Sequence, residues 1–128
     1  MLPLRHACEM VFIGRLHSAD ARISMTLEHL ARNFNKEVSV EQLMKIACLS
    51  RPQFHRRFKT LVGSSPHDLL IRLRLREAEQ LLLNSNLSVA EIGERIGWRD
   101  QFYFSRRFRQ AYGVSPGAFR RKKEGALL

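Results

Sequence analysis

An internal duplication constrains the fold of this chain more than any other feature. Residues 38–66 read VSVEQLMKIACLSRPQFHRRFKTLVGSSP, and residues 87–116 read LSVAEIGERIGWRDQFYFSRRFRQAYGVSP. Matching positions lie 49 residues apart at first and 50 apart from Phe54 and Phe104 onward, so the second copy has one extra residue near positions 97–99. Two copies are too few for a stacked repeat array, which needs about three or more to bury a continuous core. The duplication therefore predicts two similar units in one chain of 128 residues.

Local signals predict that the chain is helical throughout. Apolar residues recur at helical spacing, and no segment alternates like a strand. Ser39 and Ser88 each precede a Gln or Glu by three residues, which matches the capping box at a helix start. Gly63 and Gly113 fit the left-handed residue that ends a helix, and the Ser-Pro pairs two residues later fit the start of the next. The predicted helices span residues 22–34, 40–47, 51–62, 66–84, 89–96, 101–112 and 116–123.

The predicted fold class is all-α: a seven-helix domain with two helix-turn-helix subdomains joined by a long central helix. In each copy two short helices are separated by three or four residues, which is the arrangement of a helix-turn-helix unit. A generic helical hairpin explains one such pair, but explains two copies with matched caps less well. The predicted organisation is an N-terminal tail or linker remnant (1–20), the first subdomain (21–65), the linker helix (66–84), the second subdomain (85–124) and a frayed C-terminus (125–128).

The charge distribution indicates a polyanionic partner. Residues 38–128 contribute +9 of the net charge of +10, with 17 Lys and Arg against 8 Asp and Glu. This excess favours either nucleic acid or an anionic membrane surface. No run approaches the ~20 apolar residues of a membrane span. Cys8 and Cys48 lack CxxC spacing and are predicted to be reduced, partly buried thiols of a cytoplasmic protein.

A helical wheel predicts which side of the second helix in each copy is exposed. Arg56 and Arg106 lie opposite the apolar stripe, at the centre of the exposed face. An arginine fork donates two parallel hydrogen bonds to N7 and O6 of guanine, so both positions suit base recognition. The predicted core stripes are Phe54, Phe58 and Leu61 in the first copy and Phe104, Phe108 and Ala111 in the second.

Some flanking residues have two interpretations. Arg57 and Arg107 lie beside the core stripe, where a packed stem with a solvated head and a phosphate contact are equally expected. His55 is either a base contact, which is favoured, or a solvated polar residue. Phe102 points outward beside Arg106 and either meets a thymine methyl group or packs against Arg106 or the first half of the chain. The basic run at residues 120–123 is predicted to be a solvated, frayed end.

From about Ile23 to Arg121 the chain resembles the DNA-binding domain of AraC/XylS-type transcription regulators. The resemblance lies in RLRLREAEQLLLNSNLSVAEIGERIGW and FYFSRRFRQAYGVSPGAFR. It implies a seven-helix domain with two subdomains linked by a long helix. It also implies contacts in successive major grooves of a promoter, usually to activate transcription. The matching signature positions are Ile92, Gly97, Trp98, Phe104, Phe108, Gly113, Pro116 and Phe119.

The resemblance assigns base contacts to the second helix of each unit, and the wheel reaches the same residues except Gln101. Pro52 replaces a residue that in some relatives reaches a base. Arg57 stands at an often apolar position and Phe102 at a commonly polar one, so a different preferred DNA sequence is expected. The predicted base contacts are Gln53, His55, Arg56, Gln101, Phe102, Tyr103, Ser105 and Arg106. The predicted phosphate contacts are Arg51, Arg57, Lys59, Arg99, Arg107 and Arg109.

The predicted function is a sequence-specific regulator of transcription, expected to be an activator, that binds double-stranded promoter DNA, with RNA polymerase as a further partner. The alternative is a helical protein–protein or anionic-membrane adaptor without sequence-specific DNA binding. No enzyme activity, cofactor or metal is expected, because the chain has no glycine-rich phosphate loop, HExxH pair or paired CxxC motif. Residues 1–20 are too few for a sensor domain. A small-molecule effector is therefore expected only if such a domain lies outside this chain, and a fragment of a longer regulator is favoured over a stand-alone protein.

Overall fold

Seven α-helices make up the part of the chain that the computed structural model describes, residues 20–126. The all-α prediction is confirmed, and five of the seven helices have the predicted first and last residues. The first starts and ends one residue earlier than predicted, with its start capped by the Asp20 carboxylate, and the last runs three residues further. The tail before Asp20, Cys8 and the last two residues lie outside this range. The helices are α1 (Ala21–Asn33), α2 (Val40–Ala47), α3 (Arg51–Val62), α4 (Pro66–Asn84), α5 (Val89–Ile96), α6 (Gln101–Tyr112) and α7 (Pro116–Ala126).

Contacts between the helices divide the chain into two compact units, which meet between Leu73 and Arg74. The boundary lies inside α4, so the predicted linker helix supplies core residues to both units. The core of the first unit is formed by α1, α2, α3 and the start of α4, and its fully buried members include Ile23, Leu27, Leu30, Leu43, Phe54 and Phe58. The core of the second unit includes Ala78, Leu82, Ile92, Ile96, Phe104 and Phe108.

Both predicted capping boxes are present. Ser39 Oγ accepts a hydrogen bond from the Gln42 amide, and Gln42 Oε1 accepts one from the Ser39 amide, both at 3.1 Å. Ser88 and Glu91 form the same two bonds at 3.1 Å. The amide and hydroxyl of Ser88 hold the pKa of Glu91 below its usual value. Each box satisfies amides that a helix start otherwise leaves without partners.

Replacing Ser88 with alanine should lower the free energy of unfolding by about 1 kcal/mol, because the α5 amide loses its cap. The preferred DNA sequence should not change, since Ser88 lies at the start of a scaffold helix. Urea denaturation and binding to a panel of duplexes measure the two effects. A changed DNA preference at unchanged stability would contradict this placement of Ser88.

The turns inside the two units show where the extra residue lies. Cys48 and Gly97 end α2 and α5 in the left-handed region, with φ of 55° and 93°, and the residue after each is buried. These matching positions are still 49 residues apart. Ser50 and Asp100, which cap α3 and α6, are 50 apart. The inserted residue is therefore Arg99, which is exposed in the turn.

Three sequence predictions about burial are wrong. Cys48 is a free, exposed thiol because it lies in the tight turn after α2. Ala111 is exposed, since the ring of the neighbouring Tyr112 stacks on Phe108 with centroids 4.3 Å apart and covers the core there. Arg120 is half-buried: its guanidinium donates to three backbone carbonyls at and just after the end of α4, at 3.1 to 3.4 Å. It thus caps α4 from a distant helix.

Helices α5 and α6 approach closely at Gly93, which is buried. A Cβ atom at Gly93 would lie 2.7 Å from the backbone oxygen of Trp98 and 3.3 Å from the ring of Phe104. We therefore expect Gly93→Ala to destabilise the protein by about 1–3 kcal/mol through overpacking. Gly117→Ala is the matched control, since its Cβ would meet only the flexible end of Arg121 at 3.4 Å. Thermal denaturation measures both, and equal melting of the two variants would contradict the expected clash.

Candidate nucleic-acid interface

The second helix of each unit, α3 and α6, turns a basic face to solvent. Phe54 and Phe58 anchor α3, and Phe104 and Phe108 anchor α6; all four are 0% exposed. His55, Arg56 and Lys59 are exposed on α3. Gln101, Phe102, Arg106 and Arg109 are exposed on α6. The exposure of both central arginines agrees with the wheel.

Three of the predicted DNA contacts on α3, Gln53, Arg51 and Arg57, already have partners within the first unit. Gln53 forms a capping box with Ser50: its Oε1 accepts from the Ser50 amide at 3.3 Å, and the Ser50 hydroxyl accepts from the Gln53 amide at 3.4 Å. The spacing from Ser50 to Gln53 is the same signal that identified the other two boxes, and sequence reasoning missed it here. Arg51 pairs with Glu41, and both side chains are more than half exposed. Such surface pairs are weak, so Arg51 can exchange this partner for a phosphate.

The Arg51–Glu41 pair also has an electrostatic effect at the start of α2. Glu41 lies in the first turn, where its own backbone amide, and then the Arg51 guanidinium, lower the pKa of its carboxyl group. The negative charge of the Glu41 carboxylate offsets part of the positive charge of α3.

Arg57 has a partner within the protein that neither interpretation from the sequence anticipated. Its Nη1 lies 3.4 Å from Oδ2 of Asp20, the residue that caps α1. The Asp20 side chain is only 14% exposed, whereas that of Arg57 is 45% exposed. The pair ties α3 to the start of α1. No local sequence pattern signals it, because the two residues are 37 positions apart.

Phe102 lies at the exposed start of α6. Asp100 caps this helix, with its Oδ1 accepting from the amides of Phe102 at 3.0 Å and Tyr103 at 3.3 Å. Phe102 is 87% exposed, so its ring extends into solvent and does not pack against the rest of residues 20–126. Ser105 is half-buried on the same helix. An exposed phenylalanine beside exposed arginines is suited to contact with an apolar group of a charged ligand.

A cluster of rings and guanidinium groups surrounds Tyr103, which is half-buried. Its ring meets Trp98 edge to face, with centroids 5.4 Å apart. Arg107 Nε donates to the Tyr103 hydroxyl at 3.0 Å, and the guanidinium carbon of Arg107 lies 5.3 Å from the ring centre. That of Arg106 lies 5.9 Å from the same ring. The guanidinium carbon of Arg74 lies 5.6 Å from the centre of the Trp98 ring. Burial lowers the pKa of Arg74.

Other kinds of site are not indicated in the part of the chain that the structure describes. Across residues 20–126 no three His, Cys, Asp or Glu side chains are grouped so that they could hold a metal ion. Over the same range no helix combines the length and the hydrophobicity that crossing a membrane requires.

Two helix-turn-helix units with exposed basic second helices define a nucleic-acid-binding class of protein, and comparison with known proteins identifies its family. A family model described as "Helix-turn-helix domain" matches residues 43–122. The DNA-binding domain of AdpA, solved in complex with a target DNA, is 34% identical with a TM-score of 0.76, over 84% of this chain and 96% of that chain. The C-terminal domain of AraT, a response regulator from Geobacillus stearothermophilus, is 31% identical with a TM-score of 0.74, over 79% and 84% of the two chains.

This chain belongs to the AraC/XylS-type helix-turn-helix family, whose members are DNA-binding transcription regulators and not enzymes. The predicted family is thereby confirmed, and the adaptor alternative is not favoured. Among curated relatives, the activator RhaS from Enterobacter sp. (strain 638) is 35% identical over 112 residues, which are 88% of this chain and 40% of that protein. The chain spans about two fifths of the length of the curated relatives that it matches.

Proposed function

We propose that this chain is the DNA-binding part of a cytoplasmic transcription regulator and that it reads two successive major-groove segments of a promoter. One observation carries the proposal: each unit has a helix, α3 or α6, with buried phenylalanines on one side and an exposed arginine opposite. An α-helix fits the major groove, where each base pair presents a distinct pattern of donors and acceptors. We call α3 and α6 the recognition helices.

In the first recognition helix, Arg56 and His55 are the proposed base contacts. Gln53 joins them through its amide NH₂ group, since its Oε1 already accepts from Ser50. Phosphate contacts are proposed for Arg51 and Lys59. Arg57 would also reach a phosphate, with Asp20 as its partner in the free protein.

In the second recognition helix, Arg106 is proposed to donate to a guanine and the exposed ring of Phe102 to meet a thymine methyl group. Gln101 and Ser105 are proposed as flanking base contacts on the same helix. Tyr103 lies beside them but is half-buried, so its contact with a base would be at the edge of the groove. The proposed phosphate contacts of this unit are Arg99, Arg107 and Arg109.

Replacing Arg106 with alanine should weaken binding to the preferred site by about 1–3 kcal/mol and relax the preference at one base position. Arg109→Ala is the matched control, since loss of a phosphate contact should weaken binding to all sequences and lower the salt slope by about 1. Fluorescence anisotropy with single-base variants of the site at several salt concentrations measures both. Equal loss on every sequence for Arg106→Ala would make it a phosphate contact.

The proposed function is tested by selecting binding sites from random duplex DNA with the 128-residue chain. We expect two conserved blocks about one helical turn apart, since both recognition helices would face the same side of the duplex. Selection of no common sequence would contradict the proposal and support the adaptor.

We further propose that the regulator activates transcription by contacting RNA polymerase. The name of the relative RhaS, a transcriptional activator, supports this sign of regulation. In vitro transcription from a promoter that carries the selected site is the test. A rise in transcript upon addition of the protein is expected, and a fall would identify a repressor.

A further inference from the structure

We propose that Tyr103 is a positioning residue, whose ring and hydroxyl hold Arg106 and Arg107 in the orientations in which they meet DNA. The inference rests on the proposed function, because those orientations matter only if α6 reads DNA. It assigns Tyr103 a role different from the base contact predicted from the sequence.

Tyr103 is fixed at its backbone by the α6 cap and at its ring by Trp98. Its backbone amide donates to the Asp100 carboxylate at 3.3 Å, within the cap of α6. Its ring meets the edge of Trp98, which is only 8% exposed, at an interplanar angle of 81°. Edge-to-face contact is a preferred geometry of aromatic pairs. The core of the second unit thus determines where the tyrosine ring lies.

Two guanidinium groups depend on this ring. Arg107 is bound twice, by the 3.0 Å hydrogen bond from its Nε to the hydroxyl and by its position 5.3 Å from the ring centre. Arg106 lies 5.9 Å from the same centre, and within residues 20–126 it contacts the ring but not the hydroxyl. Both distances are within the ~6 Å over which a cation is attracted to an aromatic face. An arginine that is already restrained loses less conformational freedom on binding, which favours affinity and base discrimination.

The first unit lacks this arrangement at the matching positions. Gln53 stands where the second copy has Tyr103, and Leu49 stands where it has Trp98. The Gln53 side chain accepts from the Ser50 amide, so it is used to cap α3. The cluster is therefore specific to the second recognition helix. The first unit shows that a helix of this kind tolerates a non-aromatic residue at this position.

Two substitutions separate the contributions of hydroxyl and ring. Tyr103→Phe removes the hydrogen bond to Arg107 and keeps the ring under Arg106. We expect a loss of severalfold in affinity for all sequences, with unchanged discrimination at the base read by Arg106. Tyr103→Leu removes both contacts. For this variant we expect discrimination at that one base to fall by about tenfold, within the range that one bidentate arginine contact supplies.

The decisive measurement is a double-mutant cycle with Arg106→Ala. If Tyr103 acts through Arg106, Tyr103→Leu has no further effect on discrimination at that base once Arg106 is absent. A purely structural tyrosine would instead weaken binding to all sequences equally and leave discrimination at that base unchanged when Arg106 is present. The inference would be overturned if Tyr103→Leu discriminated at the base read by Arg106 as well as the unmodified protein does. It would also be overturned if the effects of Tyr103→Leu and Arg106→Ala on that discrimination were additive.

Circular dichroism shows whether each variant is folded. If Tyr103→Leu is not folded, Tyr103→Gln replaces it in the cycle with the same expected outcomes, because the first copy already carries Gln53 there. Failure of the proposed function is distinguishable, since the unmodified protein would then show no sequence preference. If that preference and the effect of Arg106→Ala are both present, a failed cycle counts against the role of Tyr103 alone.

Discussion

Inserting about 5 base pairs between the two contacted DNA segments should prevent the two recognition helices from binding the same duplex at the same time. The insertion is half a helical turn, so it moves the second segment to the opposite side of the duplex. The helix α4 has 19 residues and a length of about 28 Å, close to the ~34 Å of one turn of DNA. The proposed reading of two segments requires that the second recognition helix cannot follow this rotation. The footprint should shrink to one segment, and the affinity should fall toward the non-specific level, about 10³-fold or more below that of the site.

Footprinting and affinity measurements on three duplexes test this expectation. The first has the selected site, the second has the insertion between its segments, and the third has the same 5 base pairs outside both segments. Only the second should bind weakly, and a monomer should occupy each intact site because one chain carries both units. If affinity and footprint survive the central insertion, one recognition helix does all the reading and the two-segment proposal is wrong.

Phe108→Ala should destabilise the second unit by about 3–5 kcal/mol. Phe108 is 0% exposed, and its ring contacts those of Phe104, Tyr112 and Phe119 at centroid distances of 6.1, 4.3 and 5.4 Å. Removal of the ring leaves a cavity among three other aromatic side chains. A small domain is stable by only about 5–15 kcal/mol, so this loss should populate forms in which the second unit is unfolded.

Phe102→Ala is the matched control, since it makes the same substitution in the same helix at a residue that is 87% exposed. Its unfolding free energy should equal that of the unmodified protein, whereas its binding to DNA should weaken. Chemical denaturation followed by circular dichroism measures stability, and hydrogen exchange of the α5, α6 and α7 amides locates the loss in the second unit. A wild-type denaturation midpoint for Phe108→Ala would show that the aromatic cluster does not support the fold as inferred.

Much of the fold could be predicted because the decisive interactions are local. The capping boxes at Ser39 and Ser88 join residues three positions apart, and the left-handed ends at Gly63 and Gly113 depend on a single residue type. The period of 3.6 residues then determines which side of a helix is apolar. For the same reason the wheel placed Arg106 on the exposed face without any knowledge of packing.

The sequence by itself determined the duplication, the helices, most of their ends and the exposed arginines. The helices, their ends and the exposure of the arginines depend on residues within one or two turns. The tertiary structure alone decided which distant residues bind the other arginine side chains. Arg57 meets Asp20 across 37 positions, and Arg120 caps α4 across 35 to 39. Contacts of this kind require helices to dock, and docking brings together residues that no local pattern relates.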